Sequence, residues 1–396
     1  MSDGSFPRPA RRFDSVGFSE IVRVRNRVME LLAAGQKVWR FEGGEPYMHT
    51  PDAVKAGMTE ALARNQTRYA PSSGIPELRQ AILAKVRDRN GIPADDESPV
   101  VVNGGMHGLF AAFATLLEPG DECLMLSPYW TPIVDLIAYH EAKAALVPTD
   151  EARRDGLAAA FARRVTPKTK VLYWNNPVNP TGEVFSRAET EDVAAFVRER
   201  GLAVISDEAY EDLVYEGEPT TAIASLPGMY ERTITAYTLS KSYSMTGWRL
   251  GYVIAPKHYQ SPVKTVILYS TNGVSTPTQW AAVEALARGT EYAAGWKAGY
   301  RARRDRLVAG LQAAGFGIEP PRAALYLFPR LPAWLPQDSR QAARALLDEA
   351  KIATVPGVVF GPHGEGHLRF SFSVSEEMVA GGVEALAAFA SAAASR

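Results

Sequence analysis

The sequence predicts an α/β fold, in which a largely parallel sheet of buried strands alternates with helices and a smaller α+β unit follows. Three observations lead there. Short apolar, β-branched runs recur through the middle of the 396-residue chain, helical patterns fall between several of them, and the texture changes after Pro320. The runs are Val100 to Val102, Glu122 to Leu126, Ala144 to Val147, Lys170 to Trp174, Leu202 to Ser206, Thr233 to Tyr237 and Tyr252 to Ala255. Most are bounded by Gly, Pro, Asp or Ser and are apolar on both faces, as strands covered on both sides are.

The helices carry their own signals. Pro76 stands at a first-turn position, and Leu78, Ile82 and Val86 follow at four-residue spacing. Ser186 and Glu189 supply the two halves of a capping box, Val193, Phe196 and Val197 a buried face, and Gly201 a stop. From Thr278 to about Gly315 the pattern is helical. Arg301, Arg303, Arg304 and Arg306 within it read as a solvated face, because Glu291 and Asp305 dilute their charge. Beyond Pro320, Leu325 to Phe328, Ile352 to Val355 and Leu368 to Phe372 read as strands, closed by an Ala-rich helix from Ser375 onward. The expected division is an N-terminal arm over 1–50 that joins the small domain, a large domain over 51–285, and a small C-terminal domain over 286–396.

Composition removes several function classes. With 43 basic against 44 acidic residues the formal net charge is −1, which points to no nucleic-acid partner. The single cysteine, Cys123, excludes an intrachain disulfide and argues against a thiolate metal site. Its apolar setting makes it a buried, inert thiol. The histidines are scattered, and no metal is expected. The polar stretch from Ser2 to Arg12 is unlike a secretory signal, and no run approaches the ~18 apolar residues of a membrane span. A cytoplasmic protein with no membrane partner is expected.

Four constellations carry chemistry. Asn103-Gly104-Gly105-Met106-His107-Gly108 follows a strand and opens a helix, where free N–H groups and the dipole favour an anion. A plain tight turn explains it equally well. A dinucleotide fingerprint does not, because Asn103 replaces its first glycine and Asp121 begins the next strand rather than ending it. Ser206-Asp207-Glu208-Ala209-Tyr210 ends the most hydrophobic strand, where ligands gather in such sheets. Taken alone it reads more readily as a helix cap. The most specific run is Ser240-Lys241-Ser242-Tyr243-Ser244-Met245-Thr246-Gly247-Trp248-Arg249. One lysine among hydroxyls, with an arginine eight positions later, offers an amine nucleophile and a phosphate clamp. A polar surface loop accounts poorly for Met245, Trp248 and Leu250 crowding beside it. Finally, Asn175-Asn176-Pro177-Val178-Asn179-Pro180-Thr181-Gly182 pins an extended turn, and either X-Pro bond is a candidate for cis.

Other runs accompany these: Gly44-Glu45-Pro46, Arg68-Tyr69-Ala70-Pro71, Gly74 to Arg79, Ser127-Pro128-Tyr129-Trp130, Val355-Pro356-Gly357 and Arg369. In order and spacing the set resembles the class I and II aminotransferases, fold-type I pyridoxal-phosphate enzymes of the aspartate aminotransferase family, from about Gly43 to Glu376. The resemblance implies a seven-stranded, mostly parallel sheet in the large domain and a homodimer that moves an amino group between an amino acid and a 2-oxo acid. Lys241 would be the Schiff-base lysine and proton carrier. Asp207 would pair with the pyridine nitrogen, Tyr210 and Asn179 with the phenolic oxygen, and Trp130 would stack on the ring. The phosphate would lie on Gly104, Gly105 and Met106 with Thr238, Ser240 and Arg249, and Tyr69 would reach it from a partner subunit. Arg369, with the Gly44 backbone, would hold the substrate carboxylate; its local sequence equally fits a strand-edge surface arginine.

Departures from the pattern bear on substrate choice. Tyr47 and Met48 replace an acidic-aromatic pair, Ala323-Ala324 replaces a glycine, and the phosphate turn reads Gly-Gly-Met-His. With Tyr47, Met48, Tyr129 and His107 as candidate pocket residues and no obvious second arginine, neutral or aromatic donors are expected over aspartate. A lyase, cyclase or decarboxylase on the same cofactor set is the alternative reaction. A non-catalytic cofactor-binding regulator would need a DNA-binding domain, for which the residues before Gly44 are too few.

Overall fold

The computed structural model describes residues 7–17 and 20–394, so the first part of the Ser2–Arg12 stretch lies outside the described residues. Its strands in chain order are β1 Trp39–Arg40, β2 Pro99–Val102, β3 Glu122–Ser127, β4 Lys143–Pro148, β5 Thr169–Asn175, β6 Ala203–Asp207, β7 Thr233–Thr238 and β8 Gly251–Ile254. Then come β9 Tyr326–Leu327, β10 Ile352–Ala353, β11 Val355–Pro356 and β12 Leu368–Ser371. The seven apolar runs of the central chain all become strands of one sheet, in the order β2-β8-β7-β6-β5-β3-β4. Every residue of β2, β6 and β8 is buried, which is why those runs are apolar on both faces. Cys123 is buried in β3.

Only β8 runs against the rest, pairing antiparallel with both β2 and β7. Its reversal positions the site. The parallel strands β2, β3, β5, β6 and β7 deliver their exits to one edge, and β8 begins at that same edge. The chain leaving β7 at Thr238 therefore turns through Lys241 and Arg249 and re-enters opposite itself, with Thr238 in register with Gly251. A Cβ on Gly251 would stand 2.5 Å from the Tyr237 carbonyl oxygen and 3.0 Å from the Gly105 nitrogen, so a side chain there would push the phosphate-type turn away.

Helices cover both faces. Pro76–Asp88 buries Leu78, Ile82 and Val86 as their spacing predicts. Arg187–Arg200 has the Ser186/Glu189 capping box and stops at Gly201 in the left-handed region, φ 65°. The long helical stretch divides into Thr276–Ala287 and Glu291–Ala313, separated at a left-handed Gly289. One expectation is overturned: Arg303 and Arg304 are not on a solvated face but buried, 4% and 1% exposed. Arg304 donates to Glu216 Oε1 and the Pro321 carbonyl, both at 2.8 Å. Arg303 lies over the rings of Tyr47 and Tyr300 and reaches Glu376 at 3.3 Å. Local charge dilution was a poor guide because these partners are far away in sequence.

The C-terminal strands are shorter than their apolar runs, and the Ile352 to Val355 run splits between two sheets. β12 is the middle of a three-stranded antiparallel sheet, β11-β12-β9, while β10 pairs in parallel with β1. The Ser371 amide also donates to the Phe41 carbonyl at 2.7 Å. The N-terminal segment is thereby stitched to the C-terminal strands, and the chain after β1 runs past them to the large sheet.

Candidate active site

A cleft of about 940 Å³ lies where that N-terminal segment, the C-terminal strands and the carboxyl edge of the large sheet meet. Its lining includes Gly44, Gly105, Met106, Trp130, Asn179, Asp207, Tyr210, Thr238, Ser240, Lys241, Arg249 and Arg369. Residues separated by up to 325 positions thus face one space, because strand ends and β12 converge there.

Lys241 lies in the short helix Leu239–Ser242, capped by the Thr238 hydroxyl, and its Nζ donates to the Gly44 carbonyl at 2.5 Å. Arg249 sits at φ 54° and donates to the Thr246 carbonyl at 2.8 Å. Across from it the helix Gly105–Leu116 starts at Gly104, φ 80°. A Cβ on Gly104 would meet Arg249 Nη2 at 2.8 Å, and one on Gly105 would meet Thr238 Cβ at 3.2 Å. Glycine therefore lets the helix N-terminus, the Thr238 and Ser240 hydroxyls and Arg249 enclose one small anion-sized cradle.

Asp207 ends β6 in full burial. It accepts from the Tyr173 hydroxyl at 2.7 Å and the Ala209 amide at 3.3 Å. Burial pushes its carboxyl up to about 6, with the Tyr173 and Ala209 hydrogen bonds and the Lys241 charge pulling the other way. Glu208, beside it, points to the opposite side, bonded to Ser206 and Tyr237, and burial pushes it up to about 7. The helix-cap reading of this run is not what the structure shows, since no helix begins there.

Arg369 in β12 is 3% exposed, not a surface arginine. It donates to the Glu42 carbonyl at 3.1 Å and Asn179 Oδ1 at 3.4 Å, and its Nε has no hydrogen-bond partner. Burial lowers its pKa against the opposing pull of Tyr326, Tyr210 and Glu42. Asn179 is buried, its amide N–H on Asn175 Oδ1 at 3.0 Å, and the Asn176-Pro177 and Asn179-Pro180 bonds are both cis, as is Ser127-Pro128.

Some expected residues lie elsewhere. Tyr69, expected to act from a partner subunit, does not line its own chain's cleft and is 95% exposed. His107 braces the turn, its Nδ1 accepting from the Asn103 amide and its Nε2 lying 2.8 Å from the Ser270 hydroxyl. Met48 and Tyr129 are not in the lining either, whereas Tyr47 is. Two further arginines, the exposed Arg25 and the half-buried Arg40, also line the cleft. Arg40 donates twice to Glu42 Oε1, at 2.7 and 2.9 Å. Tyr173 and Tyr326 also escaped sequence reasoning. Tyr173 hides inside a core strand, and Tyr326 joins Tyr210 hydroxyl to hydroxyl at 2.9 Å. Only the distance in chain between these partners concealed them.

Comparison with known proteins agrees with this geometry. The family model for aminotransferase class I and II matches residues 37–386. An aspartate/prephenate aminotransferase of Thermus thermophilus is 36% identical over 374 residues, covering 93% of this chain and 95% of the relative. Aromatic-amino-acid aminotransferase 2 of Thermococcus litoralis is 36% identical over 338 residues, 84% of this chain and 87% of the relative. Among solved structures, the Thermus thermophilus aspartate aminotransferase with maleate superposes with a TM-score of 0.90 at 35% identity, covering 97% of this chain and 100% of that one. The chain therefore belongs to the class I and II aminotransferases, with the aspartate aminotransferase fold, and it transfers an amino group between an amino acid and a 2-oxo acid.

Proposed function

We propose that the cleft holds pyridoxal 5′-phosphate on Lys241 and that the enzyme works as a cytoplasmic homodimer divided into an arm (1–50), a large domain (51–285) and a small domain (286–396). The observation that carries the reading is the convergence of Lys241, buried Asp207 and the Gly104/Arg249 cradle on one space. The donor set fits the group. A cradle closed by any side chain at Gly104 suits a phosphate, and a buried carboxylate with a raised pKa suits a cationic ring nitrogen. The orphaned Nε of Arg369 suits a carboxylate bound through two nitrogens. Among the described residues no helix is long and apolar enough to cross a membrane.

Bound, the cofactor supplies an electron-accepting ring joined to a carbon that takes up the amino group. The protein does the rest. Gly104, Gly105, Met106, Thr238, Ser240 and Arg249 hold the phosphate, with Tyr69 of a second copy. Asp207 keeps the ring nitrogen protonated, Trp130 packs on the ring, and Tyr210 and Asn179 bind its phenolic oxygen. Arg369 and the Gly44 backbone fix the donor's carboxylate, which sets its Cα beside Lys241. Once the donor's amine has displaced it from the cofactor, Lys241 Nζ would be a free amine placed to take the Cα proton and to return one.

The donor class follows from the rest of the lining. Arg40 is held by Glu42, which leaves Arg25 as the lining arginine that favours a donor with a second anionic group, against the neutral or aromatic expectation. Incubating the enzyme with one amino acid at a time and a 2-oxo acid, and weighing the products, tests both points. Aspartate and glutamate should outpace leucine or phenylalanine by about tenfold or more, as charged pairing allows. Ammonia release without a new amino acid would instead indicate a lyase.

A further inference from the structure

We propose that Lys85 and Glu211, neither of which faces the cleft, are a positioning pair that fixes Tyr210 in the site. The proposal rests on the cofactor reading given above. Tyr210 stands in a turn after β6, where neither helix nor strand holds the chain before the isolated bridge at Val214. The main chain of the turn meets the sheet at Glu208, whose amide donates to the Ala236 carbonyl at 3.1 Å. Its side chains divide. Asp207, Ala209 and Tyr210 line the cleft, whereas Glu208, Glu211 and Asp212 do not. On that other side the helix Pro76–Asp88 ends. Its Lys85, 7% exposed, donates to Glu211 Oε1, and Asn90, just past the helix, donates to Glu211 Oε2 at 2.6 Å. Arg89 reaches in beside them to Asp212. Lys85 Nζ also lies 4.1 Å from the centre of the Tyr237 ring, and the Tyr237 hydroxyl donates to Glu208 at 2.9 Å.

Both oxygens of Glu211 are thus taken by donors from one helix end, which fixes the carboxylate and the main chain one residue beyond Tyr210. Stability alone does not ask for this. A buried ion pair has given up its hydration, and apolar side chains of similar size serve a fold as well or better. An apolar pair does not supply direction. The Tyr210 hydroxyl is met from elsewhere, by Tyr326 of β9 at 2.9 Å, so the tip of the side chain and its main chain are held by different elements. Releasing the main chain swings the hydroxyl off a ligand oxygen, and a misplacement of about 1 Å is costly in rate. Toward an anionic oxygen a hydroxyl can only donate. A donor at the cofactor's phenolic oxygen stabilises the form that has lost its proton, so a loosened turn raises the pH at which the bound cofactor titrates.

The test compares Lys85→Met with the double variant Lys85→Met/Glu211→Met. Each is loaded with pyridoxal phosphate and titrated with pH while its visible absorption is followed, and melting and steady-state rates are measured beside it. Lys85→Met leaves a buried carboxylate without its cation and should melt lower. The apolar pair should restore the melting temperature. In both variants the titration midpoint should stay raised by at least about half a unit. kcat should be down about tenfold in both, with KM for the amino donor within about threefold. A midpoint and kcat that return to wild-type values together with the melting temperature would show that the pair only fills space, and would overturn the proposal. Should the double variant not fold, Asn90→Ala, which removes one of the two donors to Glu211 and keeps the ion pair, is read for an upward shift. A wild-type protein with no visible band would overturn the cofactor reading and this proposal together; a band whose midpoint none of these substitutions moves overturns this proposal alone.

Discussion

Asp207 has its carboxyl covered at the end of β6, and the burial that lifts its pKa to about 6 has a consequence for stability. Between the unfolded value near 4 and the folded value near 6 the folded chain holds the proton more tightly. The stability this contributes is present below about pH 4 and is lost as pH rises through 6, a difference on the order of 3 kcal/mol. Asp207→Asn removes the charge and keeps an acceptor for Tyr173. The cofactor-free variant should therefore melt higher than the cofactor-free wild type at pH 7.5, and the advantage should shrink by pH 4.5. An equal gap at both pH values would show that the carboxyl is not desolvated. With cofactor, Asp207→Ala should lose turnover by about a hundredfold or more while Asp207→Glu keeps part of it. Near-native turnover of Asp207→Ala would remove the carboxylate from the proposed chemistry. Much at this scale was legible because Lys241, Arg249, Asp207 and Asn179 lie in short runs whose composition is odd for plain turns. Tyr173 and Arg25 were not, since a tyrosine in an apolar strand and an arginine on a polar helix look ordinary until their neighbours are known.

The elements divide into those that hold the fold and those that shape the cleft, and substitutions should separate them. Ser186 accepts from the Glu189 amide at 3.2 Å to start a helix whose residues are absent from the cleft lining. Ser186→Ala should cost about 1 kcal/mol in unfolding experiments and leave turnover unchanged; a loss of activity without a loss of stability would contradict that. Gly104→Ala is the opposite case, since both its positive φ and the 2.8 Å approach of Arg249 resist a Cβ. Cofactor affinity, measured by equilibrium dialysis, should fall by about tenfold or more with the sheet intact. Retained affinity would mean that the cradle is not the phosphate site. At this scale the sequence spoke clearly for the central sheet, because buried parallel strands must be apolar on both faces. It was less informative beyond Pro320, where β9, β10 and β11 are two residues each and their apolar runs extend past them. It misread Arg303 and Arg304, whose partners are supplied by other elements.

At the scale of the whole molecule, the features that one chain leaves unused are exposed aromatics. Tyr69 is 95% and Tyr269 84% exposed, and their segments adjoin, with Gly273 against Ser72. Such a surface suits a second copy whose Tyr69 completes the phosphate cradle, and stable interfaces of this kind bury well over about 2,000 Å². Sedimentation should find a dimer, and Tyr69→Ala should weaken cofactor binding while the dimer persists; an active monomer at high dilution would exclude the shared site. Parent to all of these expectations is the claim that Lys241 carries the cofactor where the strand ends, the phosphate cradle and Arg369 meet. Borohydride reduction of the pyridoxal-phosphate-loaded protein, followed by peptide mapping, tests it most directly. The account predicts a pyridoxyl label on Lys241 that disappears in Lys241→Ala; a label on any other lysine, or none, would contradict it.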